Sequence, residues 1–176
     1  LTISNLSGSN PCMPLKPNPL TRGKKQKAHA LLQHSQLMEA KPLLEQVCRA
    51  DRRDAEAWYL LAAVNQKLGA FEQAVDAYCR VIALEPRHAE AHYYLGNARM
   101  ALGDGEGAIA AFQQAVALRP DYLEAHVNLG TLRELRKDFS GAEKNLREAL
   151  RLDPRNADLY FSLGNVLQSQ KKYAAA

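Results

Sequence analysis

The side chains able to do chemistry are few and scattered: the cysteines Cys12, Cys48 and Cys79 and the histidines His29, His34, His88, His92 and His126. Zinc is held by closely spaced pairs of such residues, and three cysteines far apart do not supply them, so no metal site is expected. A reducing compartment suits free thiols. Cys48 and Cys79 fall within helical patterns and read as small buried fillers. His92 and His126 recur 34 residues apart and should stack on successive helices about 10 Å apart, beyond the reach of a shared metal, so packing is their expected role. His29, His34 and His88 form no constellation with them.

Two further patterns resemble chemistry at first sight. Gly103, Asp104, Gly105, Glu106 and Gly107 form a glycine-rich stretch, but a phosphate loop needs a strand before it and a lysine with a hydroxyl after it, and neither is present. The stretch reads as a turn between helices. Glu56, Glu90, Glu124 and Asp158 form an acidic row. They fall in the first turns of predicted helices, where carboxylates are favoured by about 0.3–1 kcal/mol, so stability explains them. No nucleophile, base and orienting group converge. Neither catalysis nor a cofactor is expected of this stretch of chain.

What does recur is an offset of 34 residues. Full units lie at 55–88, 89–122 and 123–156, a partial one at 157–176, and a degenerate one at about 21–54. Leu61, Leu95, Leu129 and Leu163 are followed in each case by a small residue, Ala62, Gly96, Gly130 or Gly164. Glycine inside a helix costs about 1 kcal/mol relative to alanine, so its return there implies close approach of a neighbouring helix. Ala74, Ala108 and Ala142 recur farther along, then Tyr78, Phe112 and Leu146, then Pro86, Pro120 and Pro154.

Apolar spacing of three and four on both sides of a central break predicts two amphipathic helices per unit. First helices are expected near 55–68, 89–102, 123–136 and 157–170, and second helices near 71–84, 105–118 and 139–152. Gly69 and Gly103 mark the break, Asp104 and Asp138 are placed to cap the second helix, and proline ends it. Short connections make neighbours antiparallel.

The chain of 176 residues, 47% hydrophobic and 24% charged, has the composition of a folded unit. No apolar run is long enough for a membrane helix, and the opening residues lack a secretory signal, so a cytoplasmic address is expected. The net charge of +4 is concentrated in Lys16, Arg22, Lys24, Lys25 and Lys27, which leaves the rest nearly neutral. That argues against a nucleic-acid surface and reads as a solvated basic linker, with residues 1–20 as a disordered tail. Leu1 and Ala176 both look like cut ends, and the chain reads as a fragment.

The run from Ala55 to Pro86, with Trp58, Leu61, Gly69, Ala74, Tyr78 and Pro86 in place, resembles the tetratricopeptide repeat family over about residues 21–176. The resemblance implies an all-α, right-handed solenoid of antiparallel helix pairs whose first helices line a concave, peptide-binding groove. By that register the groove is lined by Tyr59, Leu60, Ala63, Tyr93, Tyr94, Asn97, Val127, Asn128, Thr131, Phe161, Ser162 and Asn165. Tyr59, Tyr93, Tyr94, Asn97, Asn128, Thr131, Phe161 and Asn165 are the site residues expected to meet a partner. The implied function is a scaffold for an extended peptide or partner protein.

Departures from the family pattern carry their own expectations. Lys27, Arg52 and Pro42 break the motif in the opening unit, whose second helix should start near Ala40 or be kinked, as in a capping repeat. The basic clamp by which some members grip chaperone tails is lost, because Tyr93, Asp158 and Ser162 stand where its three basic residues belong and only Asn97 and Asn128 match. Asn97, Asn128 and Asn165 are also similar to the asparagine rows in the superhelical arms of O-linked N-acetylglucosamine transferases. The chain is then alternatively the substrate-recruiting arm of a larger glycosyltransferase or sulfotransferase. Leu159, Leu163 and Leu167 on the last helix should present an uncovered apolar face able to self-associate.

Overall fold

The computed structural model of the chain describes residues 19–174, with side chains from 21 to 171. Most of the expected tail, including Cys12 and Lys16, lies outside the described residues. Nine helices and no strand occur among the described residues: α1 (Pro19–Gln33), α2 (Leu37–Ala50), α3 (Ala55–Lys67), α4 (Phe71–Leu84), α5 (Ala89–Ala101), α6 (Gly105–Leu118), α7 (Leu123–Leu135), α8 (Phe139–Leu152) and α9 (Ala157–Ala174). Every substantial contact joins helices adjacent in sequence, with α3 and α5 also touching, which is the one-dimensional packing of an α-solenoid.

The turns inside each pair follow one recipe. At the same place in four successive units the backbone is left-handed, at Ser35 (φ 59°), Gly69 (φ 75°), Gly103 (φ 79°) and Lys137 (φ 63°), closing the first helix of the pair. Asp104 and Asp138 then accept from the amides of Gly107 and Gly141 at 2.8 and 3.0 Å, capping α6 and α8 as expected. The Gly103–Gly107 stretch is therefore an occupied turn. A phosphate there would meet the Asp104 carboxylate.

A second recurrent bond fastens each unit to the one before it. Trp58 Nε1 donates to the Arg52 carbonyl at 3.2 Å and Tyr160 Oη to the Pro154 carbonyl at 3.2 Å. His92 and His126 hold Pro86 and Pro120 in the same way through Nε2, at 3.1 and 2.9 Å. All four side chains stand at the fourth position of their unit. The two histidines are thus inter-unit clasps, and the bond to a carbonyl fixes the proton on Nε2. Among the described residues no group of three or more His, Cys, Asp or Glu is placed to hold a metal, and no helix is long and apolar enough to cross a membrane.

The core runs along the interior of the stack. Leu44, Tyr78, Phe112 and Leu146, one from each second helix, are at most 1% exposed, and each faces the small residue of its partner helix. A Cβ placed on Gly96 would lie 2.6 Å from the Phe112 ring, and one on Gly130 would lie 2.9 Å from Leu146 Cγ. These glycines are there because the neighbouring side chain occupies the space.

Four expectations need correction. Cys79 is exposed whereas Cys48 is buried; Ala74, Ala77, Tyr78 and Val81 take the inner face of α4, and Cys79 falls outside it. The basic residues from Arg22 onward are not a linker, because α1 carries them. Lys24 bonds Gln46 at 2.6 Å, and Lys25 bonds Asp54 at 2.9 Å and also pairs with Glu56. Burial acts to lower the Lys25 pKa, but the bonds to Glu56 and Asp54 outweigh it and the net shift is upward. The second helix of the opening unit begins at Leu37 and runs through Pro42; the bond Pro42 cannot donate would have ended on Met38, a 74%-exposed residue in the first turn. On α9, Leu159 is buried, Leu163 is half-buried against the same core cluster, and Leu167 is also half-buried. Among the described side chains of α9, the large exposed apolar ones are Tyr160 and Phe161.

The two thiols should differ in reactivity. Burial, followed by the nearby Asp54 charge, pushes the Cys48 thiol up to about 12. At pH 8 only about one part in ten thousand is then thiolate. Iodoacetamide labelling read by peptide mass mapping is expected to modify Cys79 in minutes and to spare Cys48 until denaturant is added. Equal labelling of both in the native protein would contradict the packing of α2.

Candidate functional site

The expected site residues lie on first helices: Tyr59 on α3, Tyr93, Tyr94 and Asn97 on α5, Asn128 and Thr131 on α7, and Phe161 and Asn165 on α9. Helical spacing of four puts Tyr93 with Asn97 and Phe161 with Asn165 on one side of their helices. The structure joins the middle of this row directly. Asn128 Nδ2 donates to Asn97 Oδ1 at 3.0 Å, bridging α7 to α5. Each amide retains further donors and acceptors beyond that bond.

The tyrosines form a connected run of rings. Tyr59 stacks on His88 at 5.1 Å and meets Tyr78 and Tyr94 edge-on at 6.0 and 6.2 Å. Tyr94 stacks on Tyr78 at 6.1 Å and touches Tyr93 at 5.1 Å. Tyr93 continues inward to Phe112 and Tyr122, 5.6 and 4.7 Å away, so it serves the core as much as the surface. Arg119, paired with Glu90, lies over the Tyr122 ring at 4.6 Å.

Burial raises the phenol pKa of Tyr78, Tyr122 and Tyr59, assisted at Tyr59 by the neighbouring Tyr94. These hydroxyls stay protonated near neutral pH. Tyr78 Oη donates to Gln66 Oε1 at 3.1 Å.

Other members of the row stand apart. Thr131 is exposed, with its hydroxyl turned back to the Val127 carbonyl at 3.1 Å. Ser162 does the same to Asp158 at 2.9 Å. Phe161 is 72% exposed, and Asn165 is also exposed. Leu60 and Val127 pack into the core clusters on either side. In the acidic row, Glu56 pairs with Lys25 and His29, and Glu90 with Arg119 and His88.

Beside the tyrosines a cleft of about 540 Å³ opens between α3, α4 and α5, lined by Tyr59, Ala63, Gln66, Lys67, Phe71, Tyr78 and Tyr94. Gln66, Lys67 and Phe71 were not among the expected site residues. Their signal lies in the register. Ala63 and Tyr94 occupy, one unit earlier, the places of Asn97 and Asn128, so the bond that closes the α5–α7 step is missing from the α3–α5 step.

Family models described as Tetratricopeptide repeat match residues 25–82, 64–122 and 95–143, and one described as TPR repeat matches 135–171. Among solved structures, MamA 41-end from Desulfovibrio magneticus RS-1 superposes with a TM-score of 0.81 at 20% identity, over 91% of this chain and 90% of that one. YrrB, described as a TPR protein with an unusual peptide-binding site, gives 0.76 at 18% identity, over 89% and 86%. The first TPR of Spaghetti (RPAP3), bound to the HSP90 peptide SRMEEVD, gives 0.63 at 22% identity, over 69% and 96%. At these identities the superpositions show a shared fold alone. No curated protein matches the chain in sequence. The recurrent motif, the helix pairs and the family matches over 25–171 agree: the chain belongs to the tetratricopeptide repeat family.

Proposed function

We propose that the chain is a peptide-binding module without a reaction of its own, and that it holds an extended segment of a partner protein along the first-helix face of α3, α5 and α7. The observation that carries this reading is the ring and amide groups set along successive first helices, the Tyr59–Tyr94 contact between α3 and α5 and the Asn97–Asn128 pair between α5 and α7. Stiff aromatic side chains give contact area at low entropic cost. Paired asparagines offer donors and acceptors to a passing backbone without demanding one sequence. The peptide site described for YrrB and the peptide bound to the first TPR of Spaghetti show that this fold can present such a surface. An acidic chaperone tail is not the favoured ligand, because Tyr93, Asp158 and Ser162 bring no positive charge to the row.

Tyr93 is a poor probe of this surface, since its ring also packs on Phe112 and Tyr122. The asparagine pair is a clean one. For a peptide selected from a random library against the whole chain, Asn97→Ala with Asn128→Ala is expected to weaken binding about tenfold, as loss of two hydrogen bonds would. The melting temperature should change little. Unaltered affinity in the double variant would overturn the assignment.

A further inference from the structure

We infer that the cleft between α3, α4 and α5 is a specificity pocket that takes one aromatic side chain of the bound peptide, with an acidic residue next to it in the peptide. This rests on the peptide-binding reading and adds to it the kind of sequence the module prefers.

The pocket is created by two coordinated departures from the repeat. At the α5–α7 step Asn97 and Asn128 meet at 3.0 Å and close the seam. At the α3–α5 step their counterparts are Ala63, which is too short to hydrogen-bond across, and Tyr94, whose ring touches α3 only through the edge of Tyr59 at 6.2 Å and stacks on Tyr78 at 6.1 Å. The seam stays open, and its walls are Tyr59, Tyr94 and Phe71 with Tyr78 as the floor. Tyr78 is 1% exposed while Tyr59 and Tyr94 are half-buried. A planar ring entering here finds edges and faces in the offset geometry that aromatic groups prefer.

Charge then narrows the occupant. An aromatic box alone would also suit an ammonium group. Lys67 lines this cleft and is exposed, and it takes part in none of the ion pairs found among the described residues. It repels a cation and offers a partner to a carboxylate. Gln66, whose carbonyl oxygen is taken by the Tyr78 hydroxyl at 3.1 Å, presents its amide N–H to the peptide. The counterparts of Gln66 and Lys67 in the next unit are Met100 and Ala101, so this combination occurs at one step of the solenoid and not at the next. It therefore also sets the register in which a peptide lies.

The test uses the whole chain labelled with nitrogen-15 and three blocked dipeptides, acetylated and amidated: Phe-Glu, Phe-Lys and Ala-Glu. Phe-Glu is expected to shift the amides of Ala63, Gln66 and Phe71 saturably in the millimolar range. Phe-Lys should bind roughly two- to fivefold more weakly, the range of an exposed ion pair. Ala-Glu should shift none of them. Lys67→Glu should reverse the preference between Phe-Glu and Phe-Lys, an outcome that loss of folding cannot imitate, and Ala63→Asn should abolish both. No saturable shift with Phe-Glu, or a charge preference unmoved by Lys67→Glu, would overturn the inference. If that happens while Asn97→Ala with Asn128→Ala still weakens the selected peptide, the pocket assignment fails and the groove stands. If the asparagine variant is also without effect, both fail.

Discussion

Phe112→Ala is expected to lower the free energy of unfolding by about 3–5 kcal/mol, read from urea denaturation followed by circular dichroism. Phe112 is fully buried, packs among Ala108, Leu129 and Leu132, and touches the Tyr93 ring at 5.6 Å. Its ring also fills the space that Gly96 leaves open. Truncation empties a volume enclosed by α5, α6 and α7, and those helices cannot close it without shifting against their other neighbours. Trp58, which the sequence alone would rank beside it, is only half-buried, although it touches two core clusters and bonds Arg52. Trp58→Ala should therefore cost less than Phe112→Ala. A loss below about 1 kcal/mol for Phe112→Ala would mean that α6 does not pack on α5 in this register.

The second large effect tests the small-residue positions, and it changes sign along the chain. Gly130→Leu should destabilise by about 1–3 kcal/mol through overpacking. Its Cβ alone would sit 2.9 Å from Leu146 Cγ and 3.0 Å from Cδ2, with the Ala142 carbonyl at 3.6 Å. Leu146 and Ala142 are both buried on the core face of α8. Gly164 holds the same place in α9, yet a Cβ there would meet nothing within 4 Å. Gly164→Ala should therefore stabilise by about 0.5–1 kcal/mol through helix propensity. Thermal melts of the two variants separate the explanations. If both destabilise, glycine is required by backbone conformation and not by a neighbour.

The helices were legible because two signals reinforced each other: the apolar period within each element, and the return of Leu61, Gly69, Ala74 and Pro86 at one offset. Observed boundaries of α3 to α8 differ from those expected by a single residue at most. The same offset exposes the capping aspartates and the left-handed turn, although only the coordinates show that Lys137 and Ser35 adopt the conformation of Gly69. Cys79 was misplaced because a small apolar residue next to a core tyrosine fits either face of a helix. The Lys25 pairs with Asp54 and Glu56 join residues about one unit apart, and no local pattern announces such a contact.

The candidate site was legible to the level of the helix that carries each residue. The register placed Tyr59, Tyr94, Asn97 and Asn128 on first helices, and the structure brings the two asparagines together. The register did not reveal that Tyr93 also turns toward Phe112, because ring orientation depends on what Gly96 leaves vacant. Nor did it mark Gln66, Lys67 and Phe71, since their cleft opens where Ala63 and Tyr94 replace the asparagine pair.

The central claim is that a peptide lies along the first-helix face. Amide shift mapping of the whole chain, titrated with a library-selected peptide, tests it most directly. The account predicts that the largest changes fall in one connected stripe through Tyr59, Ala63, Tyr94, Asn97, Asn128 and Thr131. Changes concentrated instead on the outward faces of α4, α6 and α8, around residues such as Cys79, Gln113 and Arg147, would contradict it.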